Sequence, residues 1–139
     1  MNNFNLKLTP YLHFNGQCEE ALNRYAEILG GTAEIIQRYD NPAMNAPEEY
    51  HNKVLHATLQ FNGNTIFASD SFPGYELSRG SGDTALSLSV ANSENAKTIF
   101  DQLSNDGQVN VPFEKQFWGS WHGNLKDKFG INWMINCEV

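Results

Sequence analysis

The chain is expected to fold as an α+β protein made of two successive βαβββ modules, and three observations predict this. Apolar periodicity runs strand, helix, strand, strand, strand, and then runs through the same order again. The apolar helix positions Ala21, Tyr25 and Ile28 return at constant spacing as Ala96, Phe100 and Leu103. The hairpin run Gly63-Asn64-Thr65-Ile66-Phe67 returns as Gly130-Ile131-Asn132-Trp133-Met134. Two matches in the same order point to a duplicated module, about 1–75 and then about 80–139, within one domain spanning 1–139. Two modules, each with a helix on one sheet face, would leave their other faces around a shared cleft, the default place for a ligand.

Each element has its own signal. Leu6 to Phe14 alternates loosely and ends at Asn15-Gly16, which reads as a strand and a turn. From Cys18, the residues Ala21, Leu22, Tyr25, Ile28 and Leu29 recur at three-and-four spacing, and Gly30-Gly31 stops that helix. Thr32 to Tyr39 is β-branched enough for a strand. Asp40 to Lys53, broken by Pro42 and Pro47, is a loop long enough to cover the cleft as a lid. Val54 to Phe61 and Thr65 to Ser69 flank Asn62-Gly63-Asn64, a tight hairpin, and Asp70 to Asp83 is a glycine-containing connector.

In the second half, Ala85 to Val90 is a strand, and Asn92-Ser93 caps a helix whose face is Ala96, Ile99, Phe100 and Leu103, ending at Asp106-Gly107. Val109 to Lys115, Gly119 to Leu125 and Asn132 to Cys137 supply three more strands. The Asp127 to Gly130 turn joining the last two reads as structural.

Composition narrows the function. Hydrophobic residues make up 40% and charged residues 18%, values that exclude a disordered tail, a collagen and a coiled coil. Nine basic against sixteen acidic residues leave a net charge of −7, and the basic residues are scattered, so nucleic acid and anionic membrane are disfavoured as partners. The N-terminus lacks a basic and apolar leader pattern, which places the chain in the cytoplasm. Cys18 and Cys137 show no CxxC spacing and read as free thiols, with Cys18 in the core.

Pro10-Tyr11-Leu12-His13-Phe14-Asn15-Gly16-Gln17-Cys18-Glu19-Glu20-Ala21-Leu22, the Phe61-Asn62-Gly63 hairpin running into Ala68-Ser69-Asp70, Phe117-Trp118-Gly119, and the stretch from Asp127 to Asn136 together resemble one family. It is the PhnB-like branch of the glyoxalase / bleomycin resistance / dioxygenase, or vicinal oxygen chelate, superfamily, and the resemblance covers nearly the whole chain. It implies paired βαβββ units in a half-open barrel, the glyoxalase/bleomycin resistance/dihydroxybiphenyl dioxygenase fold, and a homodimer. Metal-dependent members hold a divalent ion with His and Glu on strands one and four of the modules. By the module alignment those columns fall near Pro10, Phe67, Ala85 and Met134. A one-residue slip adds Thr9, Tyr11, Ile66, Ala68, Thr84, Leu86, Trp133 and Ile135, none of them His, Asp, Glu or Cys. The usual metal site is therefore expected to be absent, and no cofactor is expected.

Some members of the branch carry a ubiquinone-precursor methyltransferase label. The residues give it no support, because no glycine-rich loop after a first strand is followed by an acidic residue on a second.

Other residues are candidates for chemistry. His13 shares a strand face with Tyr11, and His56 shares one with Thr58 and Gln60, so each is either a hydrogen-bonded surface histidine or a general base. His122 lies in Phe117-Trp118-Gly119-Ser120-Trp121-His122-Gly123, a cluster resembling a motif of the branch, and is the strongest catalytic candidate. Trp118 and Trp121 are either stacking walls or core, whereas Trp133 reads as core. Asp70 either accepts N–H bonds in its own turn or orients a ligand hydroxyl.

The expected ligand-binding set is thus Tyr11, His13, His56, Asp70, Trp118, Trp121 and His122. The expected function is metal-free binding of a small molecule in the cleft. The alternative is a lyase or isomerase that uses a non-standard histidine site, the only reading that calls for a divalent metal.

Overall fold

The computed structural model describes residues 4–80 and 82–138; the N-terminal reading rests partly on Met1, Asn2 and Asn3, which lie outside them. The fold is α+β. It divides into two compact units between Leu77 and Ser78. The first contains β1 (Tyr11–Phe14), α1 (Cys18–Leu29), β2 (Thr32–Arg38), β3 (Val54–Phe61) and β4 (Asn64–Asp70). The second contains β5 (Leu86–Ser89), α2 (Ser93–Ser104), β6 (Gln108–Lys115), β7 (Trp121–Lys126) and β8 (Asn132–Cys137). The sheet orders are β1-β4-β3-β2 and β5-β8-β7-β6, each with one parallel pair and two antiparallel pairs.

Strand alternation sends one set of side chains to the helix and the other to the opposite face. In the first unit Ala57, Leu59, Phe61, Ile66 and Ala68 are buried on the face over which α1 lays Ala21, Leu22 and Tyr25. In the second, Leu125, Trp133 and Ile135 pack with Ala96, Phe100 and Leu103 of α2. Each fully buried Leu or Phe contributes roughly 1.5–3 kcal/mol.

The duplication extends to the backbone. A Cβ on Gly31 would sit 2.3 Å from the Gln60 carbonyl oxygen, and one on Gly107 would sit 2.3 Å from that of Lys126. Both glycines let the chain leave its helix and cross tightly against the third strand of its own unit.

The expected first strand is shortened. Its ladder to β4 ends where the Phe67 N–H donates to the Pro10 carbonyl, since Pro10 has no N–H to return. Upstream, Leu6 and Leu8 are exposed. The expected 40–53 loop holds two 3₁₀ turns, Pro42–Met44 and Glu48–Tyr50. It is tied to its own unit, where the Tyr50 hydroxyl donates to the Ser71 carbonyl and His51 Nε2 donates to the Ala46 carbonyl. No helix among the described residues is long and apolar enough to cross a membrane.

Candidate functional site

The seven candidate residues fall into three places. Asp70 is buried beneath the sheet of the first unit, and both its carboxylate oxygens are engaged by backbone. Oδ1 accepts from the Cys18 N–H at 2.9 Å and Oδ2 from the Val54 N–H at 2.8 Å, while the Asp70 carbonyl accepts from the Tyr39 hydroxyl at 2.8 Å. The donors lie at the starts of α1 and β3 rather than in its own turn. Cys18 is fully buried, and desolvation, with Asp70 nearby, pushes its thiol far above the ordinary value, so it is no nucleophile.

Tyr11, His13 and His56 gather on the sheet face opposite α1, joined by Phe67 and Ser69. Tyr11 stacks on His13 with centroids 4.9 Å apart, and its hydroxyl lies 2.9 Å from His56 Nδ1. His13 Nδ1 lies 3.1 Å from Ser69 Oγ, and Phe67 meets the His56 ring edge-on at 5.1 Å. The result is an aromatic face with two imidazoles held by hydroxyls.

Trp118, Trp121 and His122 line a cavity of about 580 Å³ in the second unit. It lies where β5 and β8 finish and β7 begins, and Ser89, Asn136 and Glu138 also line it. The Trp121 ring stacks on Phe113 at 5.6 Å, and Phe113 in turn lies 5.8 Å from Phe100 of α2, which fixes that wall from behind. Trp118 sits in the β6–β7 hairpin, half exposed, edge-to-face with Phe117.

The hydrogen bonds around His122 determine its tautomer. Asn136 Nδ2 donates to Ser87 Oγ at 2.8 Å and to the Leu88 carbonyl at 3.3 Å. A carbonyl only accepts, so the amide is oriented with Oδ1 toward His122, 2.7 Å from Nδ1. Nδ1 must then carry the proton, leaving the lone pair of the neutral ring on Nε2.

Strand registers relate the two regions. Thr58 pairs with Phe67 as Asn124 pairs with Met134, which gives His56 and His122 the same place on the third strand of each unit. They also move the presumed metal columns. Tyr11, not Pro10, pairs with Phe67, and Ser87, not Ala85, pairs with Met134, because β1 begins after Pro10 and β5 after Ala85. Tyr11, Phe67, Ser87 and Met134 do not fit a set of His and Glu ligands. Among the described residues no three His, Cys, Asp or Glu side chains converge to hold an ion.

Sequence reasoning missed Asn136, Ser89 and Glu138 as lining residues, and Phe67 and Ser69 as partners of the histidines. Period-2 alternation from His122 along β7, applied to β8, would have selected Asn136 had the register been known.

The model of the family described as 3-demethylubiquinone-9 3-methyltransferase matches residues 6–136. The chain is 32% identical to protein YjdN of Escherichia coli (strain K12), over 94% of this chain and 95% of that one. It resembles the crystal structure of protein PA1353 from Pseudomonas aeruginosa, with a TM-score of 0.84 and 35% identity, covering 96% of this chain and 98% of that one. A putative 3-demethylubiquinone-9 3-methyltransferase, PhnB protein, from Bacillus cereus gives a TM-score of 0.79 and 28% identity over 95% and 99% of the chains. A glyoxylase/bleomycin resistance protein/dioxygenase domain from Frankia sp. EAN1pec, 15% identical with a TM-score of 0.68 over 96% and 98%, shares the fold.

Proposed function

The chain belongs to the PhnB-like family of the glyoxalase/bleomycin resistance/dioxygenase superfamily, and from that premise we propose that it is a cytoplasmic, homodimeric small-molecule-binding protein that works without the superfamily's metal. The observation carrying this reading is the cavity of about 580 Å³ in which Trp118 and Trp121 stand beside a histidine of set tautomer. Cavities of this size, with aromatic walls and a few oriented polar groups, suit small ligands. In the first unit Tyr11, His13, His56 and Phe67 form an aromatic face of their own, and Asp70 supports it by anchoring β4.

The family description names methyl transfer. Nucleoside-type cofactors sit at the carboxyl ends of a doubly wound parallel sheet, whereas each sheet here has a single parallel pair. The sheets do not fit that group.

The His122 tautomer favours one second reading. An Nε2 lone pair held by the Asn136 relay is suited to general-base work in a lyase or isomerase.

Native mass spectrometry of the full chain against a metabolite library, followed by tryptophan-fluorescence titration of each hit, tests the binding reading. A stoichiometric ligand whose affinity falls tenfold or more in Trp118→Leu is the expected result. A protein that binds no metabolite and carries stoichiometric zinc or nickel would overturn it. Turnover of a bound hit that disappears in His122→Gln would favour the enzyme.

A further inference from the structure

We infer that the cavity of the second unit selects a planar aromatic molecule bearing a protonated nitrogen over an anionic analogue of the same shape, an inference that rests on the binding reading above. The lining is rich in acceptors. Among the described residues Glu138 is the acidic residue lining it, Ser89 and Ser120 bring hydroxyls that accept as well as donate, and no Lys or Arg lines it. Asn136 has the amide donors an anion would seek, but both are directed away, to Ser87 Oγ and the Leu88 carbonyl. The same two bonds turn its oxygen to His122 Nδ1, so the neutral His122 ring offers an acceptor at Nε2 rather than a second donor. Trp118 and Trp121 complete the lining, and an indole face attracts a cation more strongly than any other side-chain ring. A carboxylate or phosphate entering this cavity would meet Glu138 with no opposing cationic side chain among the described residues, whereas a ring carrying N–H⁺ or N–CH₃⁺ would stack on indole with its charge compensated.

Three quinoline probes of nearly one shape separate charge from size: N-methylquinolinium, quinoline and quinoline-2-carboxylate, titrated calorimetrically into the full chain at pH 8. The expected order is cation, neutral, anion, with the cation bound at least tenfold tighter than the carboxylate. Glu138→Gln should shrink that ratio about fivefold or more with an unchanged melting temperature, because the side chain is exposed. Trp118→Leu should weaken all three. Equal binding of the probes, or tighter binding of the carboxylate, overturns the charge selectivity while leaving small-molecule binding intact. No heat from any of the three also overturns it, and the metabolite screen then judges the binding reading independently.

Discussion

The two helices begin under different restraints. In the first unit the leading N–H of α1, that of Cys18, is satisfied by Asp70, 52 residues along the chain, and Gln17 contributes no side-chain cap. In the second, Asn92 Oδ1 accepts from the Glu94 and Asn95 N–H groups at 2.8 and 3.0 Å, a cap made entirely within the helix's first turn. Because Asp70 also holds Val54, one carboxylate joins the start of α1, the start of β3 and the end of β4. The register puts Cys137, which has no carboxylate, at the corresponding place in the second unit. A local cap stabilises its own helix, whereas the long-range clasp makes three elements depend on one another.

The largest expected effect tests this difference. Asp70→Ala leaves two buried N–H groups without an acceptor, each costing about 1–3 kcal/mol, so a total loss near or above 3 kcal/mol is expected in urea unfolding. Asn92→Ala should cost about 1 kcal/mol, the usual value for a lost N-cap. Equal losses would break the comparison. Asp70→Asn, which keeps one acceptor oxygen, should fall between.

Where the units are alike, they should respond alike. Gly31→Ala and Gly107→Ala each drive a Cβ onto a third-strand carbonyl at 2.3 Å, and each should cost roughly 1–3 kcal/mol through forced backbone shift. Thermal melts of both variants sharpen the comparison: a large inequality would show that the two crossings do not yield in the same way.

The smallest effect concerns ion pairs. Arg38 bridges β2 to Glu19 of α1 at 2.9 Å, whereas Lys97 and Asp101 pair within α2 at 3.2 Å. The hydrogen bond from Arg38 holds the Glu19 carboxyl below its ordinary value. A lowered folded pKa means its stabilisation is present above the ordinary carboxylate value and is lost as pH falls through the folded one. Both side chains are substantially solvent-exposed, so screening leaves Arg38→Gln costing at most about 1 kcal/mol at pH 7, and less at pH 3. Lys97→Gln should cost about 0.3 kcal/mol. Denaturant titrations at the two pH values check both.

Local chemistry was legible in the amino-acid order. The caps and stops of α2, the Asn62-Gly63 turn and most of both helix core faces depend on residues within a turn or two of one another, and the structure agrees with them except at Ile28 and Ile99, which are half-buried. Alternation from Leu6 to Phe14 predicts a longer β1 than forms, because it does not reveal that pairing stops at Pro10. Trp118, Trp121 and His122 are neighbours along the chain, and the cavity takes all three. Asn136 and Glu138 join that group only through β8, a relation that chain order does not reveal.

The sequence by itself therefore determined the α+β class, the repeated βαβββ order and the kinds of side chain available for binding, since these depend on composition, periodicity and turn chemistry over short spans. Only the tertiary structure decided that Asp70 closes on two distant N–H groups, that Ser87 stands opposite Met134, and that Asn136 sets the His122 tautomer. Each depends on strand register and on which donors lie within about 3 Å of one acceptor, and residues tens of positions apart acquire those relations only when the sheets form.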